Sequence, residues 1–347
     1  MREEAPLFLC TCYIIIHEVH VEVKAFPIFF ILLGFLFARQ EPVNNQEEDE
    51  GFRIGVAVDQ VFLSVNARSV AGGFVGGLTK DKLQVYEDGV QQEIANFYSE
   101  GVPVSVALLI DISGSARESQ GEIRKAALGF AQSLSPEDQV AVITFNDAPR
   151  LILNWTNDID KIELALQSTY AKGYTVFNDA LFVTFDDLFK DVDGKTAVIV
   201  LTDGIDTDSM VDQGEVMDLA VRSEAMVYVV SNLKEYWAGA IVARMEFQKR
   251  SRIIPRSLTD PFILDAERFL SSLARQTGGK VLSTETFGSL IDVYSQVAEE
   301  LKNQYYISYI PSNVTKDGRW RSIEIRSQPA GVILSTRPGY YAPDGGN

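Results

Sequence analysis

Val104-Ser-Val-Ala-Leu-Leu-Ile-Asp111-Ile-Ser113-Gly-Ser115 is an apolar run that ends in one carboxylate and two hydroxyls. A run of aliphatic residues with little polar alternation reads as a strand buried on both faces, the kind found in the middle of a parallel sheet. The Asp-x-Ser-x-Ser ending gathers only oxygen donors in a tight turn, with Gly114 letting the backbone bend. Oxygen sets of this kind suit hard cations such as Mg²⁺ and Mn²⁺.

Outward from this strand the pattern alternates. Segments 139–145, 150–153, 196–202, 226–231 and 280–282 read as strands. Segments 118–134, 158–167, 177–189, 211–224, 265–277 and 289–303 read as helices. The order predicts an α/β fold over residues 102–303, a doubly wound and mostly parallel sheet with helices on both faces. Residues 52–100 and 304–343 carry β patterning instead. A hairpin over 83–94 turns at Asp88-Gly89, and 304–310, 319–326 and 331–336 read as strands. The two segments are expected to build one small β-domain flanking the α/β domain.

The chain has 347 residues, a hydrophobic fraction of 46% and a formal net charge of −17. Such an acidic surface argues against nucleic acid as a partner, since phosphate backbones need basic groups. The only histidines are His17 and His20, and the only cysteines are Cys10 and Cys12. All four lie in residues 1–40, which read as a leader, followed by a charged linker over 41–51. The apolar stretch 25–38 has the length of a signal peptide and is too short for an ordinary spanning helix. The acidic residues Glu3, Glu4, Glu18 and Glu22 do not suit a signal-peptide n-region. Translation starting at the codon of Val23 would give an ordinary bacterial one. The expected product is secreted or periplasmic, and it meets a membrane only through the leader if that is left uncleaved. Without the leader it lacks His and Cys, which excludes Ser-His-Asp and Cys-His catalysis, a typical zinc site and a disulfide.

Two later segments supply more oxygen donors. Thr175 stands in Gly173-Tyr-Thr175, a loop before a helix, and Asp203-Gly204 ends the apolar strand 196–202. Open α/β sheets bind ligands outside the carboxyl ends of their strands, where all three segments are expected to arrive. Each has an ordinary alternative: serine and threonine cap helices, and Asp-Gly makes turns. Together and in this order they read as a metal site. Asp111, Ser113, Ser115, Thr175 and Asp203 are the candidate ligands of one divalent cation, Mg²⁺ first, with Mn²⁺ or Ca²⁺ as the other candidates. Asp206 and Asp208 read as turn residues more readily than as a second site. Segment 232–262, with Lys234, Arg244, Lys249, Arg250, Arg252 and Arg256, is a basic insertion on an acidic chain.

Asp-x-Ser-x-Ser, the Gly-x-Thr loop before Asp179-Ala-Leu, and Leu201-Thr-Asp203-Gly resemble the von Willebrand factor type A domain and its metal-ion-dependent adhesion site. The resemblance covers about residues 102–303. The flanks, Leu78-Thr-Lys-Asp through Asp88-Gly89, Thr277-Gly-Gly279 and Arg337-Pro-Gly-Tyr-Tyr-Ala342, resemble the exported acidobacterial proteins with a related domain. The resemblance implies hydroxyl ligation by Ser113, Ser115 and Thr175, with Asp111 and Asp203 binding directly or through water. It also implies a module for protein binding or adhesion, not an enzyme, whose cation captures an acidic residue of a protein partner. The competing readings are a structural envelope protein whose metal stiffens the loops, and a Mg²⁺-dependent phosphotransferase using Asp111. The usual aspartyl-phosphate pattern wants a carboxylate where Ser113 stands, which weakens the last reading. The leader reading predicts a mature chain beginning near residue 39 to 41, to be checked by N-terminal sequencing of the exported protein; His17 or Cys10 in that product would refute it.

Overall fold

Alternate residues of the strand quoted above face two separate apolar cores, which is why it shows no clean polar alternation. The computed structural model describes residues 60–171, 173–202, 206, 208–231, 261–283 and 289–345, all within one unit, Val56–Asn347. The leader, the linker, Asp203 and residues 232–260 of the basic insertion lie outside the described residues.

The first segment forms β1 (Val61–Ser69), β2 (Leu83–Glu87), β3 (Val90–Gln92) and β4 (Ile94–Tyr98). The α/β region follows as β5 (Val104–Asp111), α1 (Gln120–Ser133), β6 (Gln139–Phe145), β7 (Pro149–Thr156), α2 (Ile159–Gln167) and α3 (Phe177–Val183). It continues with β8 (Lys195–Thr202), α4 (Gln213–Arg222), β9 (Met226–Ser231), α5 (Pro261–Gln276), β10 (Val281–Ser283) and α6 (Leu290–Lys302). The chain then returns to strands: β11 (Tyr305–Tyr309), β12 (Trp320–Ser327), β13 (Val332–Ser335) and β14 (Gly339–Tyr341).

The central sheet has the order β10-β9-β8-β5-β6-β7. Its strands are parallel except β7, which runs antiparallel to β6. Val106, Leu108 and Ile110 of β5 pack with Phe130 of α1, Ile162 of α2 and Tyr294 of α6. Ala107 and Leu109 point the other way, to Phe177 of α3, Val216 of α4 and Leu273 of α5. The fold is therefore doubly wound α/β. From β5 the chain moves to β6 and β7 on one side, then crosses back to β8 on the other. The strand order reverses between β5 and β8, which makes their carboxyl ends the natural ligand crevice. No helix among the described residues is long and apolar enough to cross a membrane.

Strands from both ends of the chain interleave in two antiparallel sheets, β13-β1-β11-β4 and β14-β12-β2-β3. Val61, Leu63 and Val65 of β1, Val85 of β2, Ile307 and Tyr309 of β11 and Ile323 of β12 share one core between them. The buried Glu87 accepts from both Tyr309 Oη and Tyr340 Oη, at 2.8 and 3.0 Å. Asp88 and Gly89 both have positive φ, 48° and 80°, as a two-residue hairpin turn requires. The second arm of that hairpin ends at Gln92, and Ile94 starts a strand that pairs with β11 in the other sheet. The helix expected over 177–189 stops at Val183 and passes into one π-type turn, Thr184–Leu188. Thr184 Oγ1 donates to the Ala180 carbonyl at 2.7 Å there, a bond that competes with regular helix.

Lys195, at the start of β8, is buried, and its Nζ donates to the Leu301 carbonyl near the end of α6. Burial pulls its pKa down to about 8, and the Asp138 carboxylate offsets part of that. Between pH 8 and the ordinary lysine range the unfolded chain binds a proton that the folded chain lacks, so stability rises with pH in that window and the cost of the buried charge is fully present below it. The rise is at most about 1.4 kcal/mol per pH unit. Urea midpoints should be higher at pH 9.5 than at pH 7.5, and Lys195→Met should flatten the difference.

Candidate metal site

The described ligand candidates arrive at the β5–β8 edge on two loops. Asp111 is the last residue of β5 and is 5% exposed; Ser113, in the turn that follows, is 2% exposed. Asp111 Oδ1 accepts the Ser113 N–H at 2.7 Å, which curls the turn back over the strand end. Ser115 opens a 3-10 turn, Ser115–Arg117, that leads into α1. The chain reaches the second loop by running down antiparallel β7 and back up α2. Thr175 stands there, 7% exposed, just before α3. The Gly114 N–H donates to the Gly173 carbonyl at 3.2 Å and joins the two loops between their hydroxyl residues.

Asp203 lies outside the described residues, but Thr202 before it ends β8, next to β5. The structure thus brings the Asp111–Ser113 turn and the Thr175 loop together at the crevice. The donor set is chemically suited to a hard cation: one buried carboxylate and two buried hydroxyls among the described side chains. Among the described residues no three His, Cys, Asp or Glu side chains gather. A cation held largely by neutral hydroxyls would keep more of its charge than one enclosed by carboxylates.

The corner after β6 was not singled out from sequence, and it holds the second loop. Tyr174 N–H donates to Asp147 Oδ1 at 2.7 Å, and Val176 N–H donates to the Asn146 carbonyl at 3.0 Å. The only sequence signal was position: Asn146-Asp147 follows the apolar strand 139–145 at the same sheet edge. Asp206 is a turn residue. Its carboxylate accepts the N–H groups of Asn178, Asp208 and Ser209 at 2.8, 3.2 and 3.0 Å, tying its turn to α3. Asp179 Oδ1 fixes the same loop by accepting from Met210 and Val211 N–H at 2.9 and 3.0 Å.

Solved structures similar to the chain include a von Willebrand factor type A protein from Catenulispora acidiphila, with 12% identity over 83% of this chain and 74% of that one, TM-score 0.44. An aerotolerance-related membrane protein from Bacteroides fragilis is 14% identical over 57% of this chain and 98% of that one, TM-score 0.41. The vWF domain of the type V pili tip protein Mfa5 from Porphyromonas gingivalis is 16% identical over 31% of this chain, TM-score 0.29. The chain spans 40% of that domain structure and 27% of a three-domain structure of the same pilus protein. Among curated proteins none matches. The family profile described as the von Willebrand factor type A domain matches residues 106–205, from β5 through the end of β8, the span that contains the switch point and all five candidate ligands. This chain carries a von Willebrand factor type A domain.

Proposed function

We propose that the chain is an exported protein-binding module that captures a partner carboxylate through a divalent cation at the β5–β8 edge. The observation that carries this reading is the burial of Asp111, Ser113 and Thr175 at the switch point, on loops joined by the Gly114–Gly173 bond. Asp111, Ser113, Ser115, Thr175 and Asp203 would hold the cation, with Mg²⁺ as its first candidate. The cation would supply an incompletely neutralised positive charge at the edge. A partner Asp or Glu would complete its shell, and partial desolvation of the contact would strengthen their attraction.

The surface around the edge also suits a protein partner. Tyr170, Tyr174 and Met210 are 70%, 67% and 94% exposed, each close in sequence to a backbone group fixed by hydrogen bonds. Large apolar side chains presented on a restrained backbone lose little freedom on binding, which favours association. Export rests on the leader, as read from its sequence.

Asp111→Ala should abolish Mg²⁺ binding in calorimetry while the circular dichroism spectrum of the fold is kept; unchanged affinity would refute the site. In a pull-down from the native envelope, the partner should be captured in Mg²⁺ and lost in EDTA. Thr175→Ala and Ser113→Ala should lose the same partner. If both variants bind it as wild type does and EDTA has no effect, the binding surface lies elsewhere on the chain.

A further inference from the structure

Both neighbours of Thr175 are bonded to the corner after β6, and we propose that Asp147 is a positioning residue for the cation site, seating Thr175 at the edge without ligating the cation itself. The inference rests on the metal reading above and adds a residue to it. Tyr174 N–H is held by the Asp147 carboxylate at 2.7 Å, a charge-assisted bond, and Val176 N–H by the Asn146 carbonyl at 3.0 Å. A residue whose two neighbours are both fastened has little backbone freedom left.

The corner that does the fastening is itself tied to the first loop. Phe145 pairs in register with Asp111, and Ile112 N–H donates to the Phe145 carbonyl at 2.9 Å. Asp111 and Thr175 are thus both located from the same three residues, 145–147. Gly173 records how closely the loop sits on the carboxylate. Its φ is +85°, and a Cβ there would lie 2.3 Å from Asp147 Oδ1 and 2.6 Å from both Cγ and Oδ2. Only glycine combines that backbone with that approach. Asp147 is on the exposed side of the loop, and its Oδ1 is engaged with a backbone N–H, so its part is mechanical. Second-sphere groups of this kind orient ligands and change metal affinity by about 10 to 100-fold when removed.

The test is a Mg²⁺ titration of the purified wild type, Asp147→Ala, Asp147→Asn and Gly173→Ala, together with hydrogen exchange of the Tyr174 amide in EDTA. Asp147→Ala should weaken Mg²⁺ binding by about tenfold or more, and Tyr174 should exchange faster. Asp147→Asn keeps an acceptor oxygen and should restore most of the affinity and the protection. Gly173→Ala, whose Cβ would crowd the Asp147 carboxylate away from the Tyr174 amide and strain a φ of +85°, should lose affinity as Asp147→Ala does. A role confined to fold stability would lower the melting temperature of Asp147→Ala and leave its Mg²⁺ affinity unchanged, and that result overturns the inference while sparing the metal reading. If wild type itself binds no Mg²⁺, the metal reading falls and this inference falls with it.

Discussion

The bond from Gly114 N–H to the Gly173 carbonyl is the contact on which the candidate site depends. The parallel sheet brings the ends of β5 and β8 side by side, but it does nothing to bring in the loop before α3. That loop belongs to a segment that has travelled down β7 and back along α2 on one flank of the sheet. One main-chain hydrogen bond, flanked by the bonds from the 145–147 corner, closes the distance. Donor and acceptor are both backbone groups, so the bond does not depend on which side chains the two loops carry.

The junction between the α/β region and the two flanking sheets is built with the same economy of space. Gly278 has φ +79°, and a Cβ there would lie 2.8 Å from Arg337 N; at Gly279 it would lie 2.0 Å from the Val227 carbonyl oxygen. The Thr277-Gly-Gly motif thus lets the end of α5 come down onto β9 and the approach to β14. Arg337, from the second flanking motif, reaches Glu224 at 2.7 Å and the Phe62 carbonyl at 3.0 Å with one nitrogen. On the other side the buried Glu300 of α6 takes Arg68 of β1 at 2.8 Å and Lys280 at 2.7 Å. A carboxylate this deep persists because two cations meet it, and losing both would leave its charge stranded.

The sequence was most legible where burial alone decides structure. The runs 139–145 and 226–231 became β6 and β9 with those bounds, because a strand buried on both faces has no other reading of comparable strength. Long-range pairing hid the rest. β14 is three residues that exist as a strand because Tyr341 and Tyr340 pair with Trp320 and Arg321. The apolar residues of 83–94 say that strands are present, yet not that Ile94 leaves its hairpin for the other sheet. At the candidate site, Asp111, Ser113 and Thr175 are singled out by residue type. Asp147 did not, since its partner stands 27 positions along the chain and the bond is to an amide that every residue but proline carries.

The interleaving of the flanking sheets also bears on how the chain is made. β1 is synthesised before the α/β region, and its partners β11 and β13 come only after it: Val61 waits for Tyr309, and Asn66 for Ser335. The central sheet pairs entirely within its own span, so it is free to close in that interval. Domains fold as units during synthesis, and pairings of large sequence separation come late. Until then β1 has neither of its partner strands, and Val61, Leu63 and Val65 lack Tyr305, Ile307 and Tyr309 of their core. Mispairing between nascent chains would begin there, far from the loops that bind.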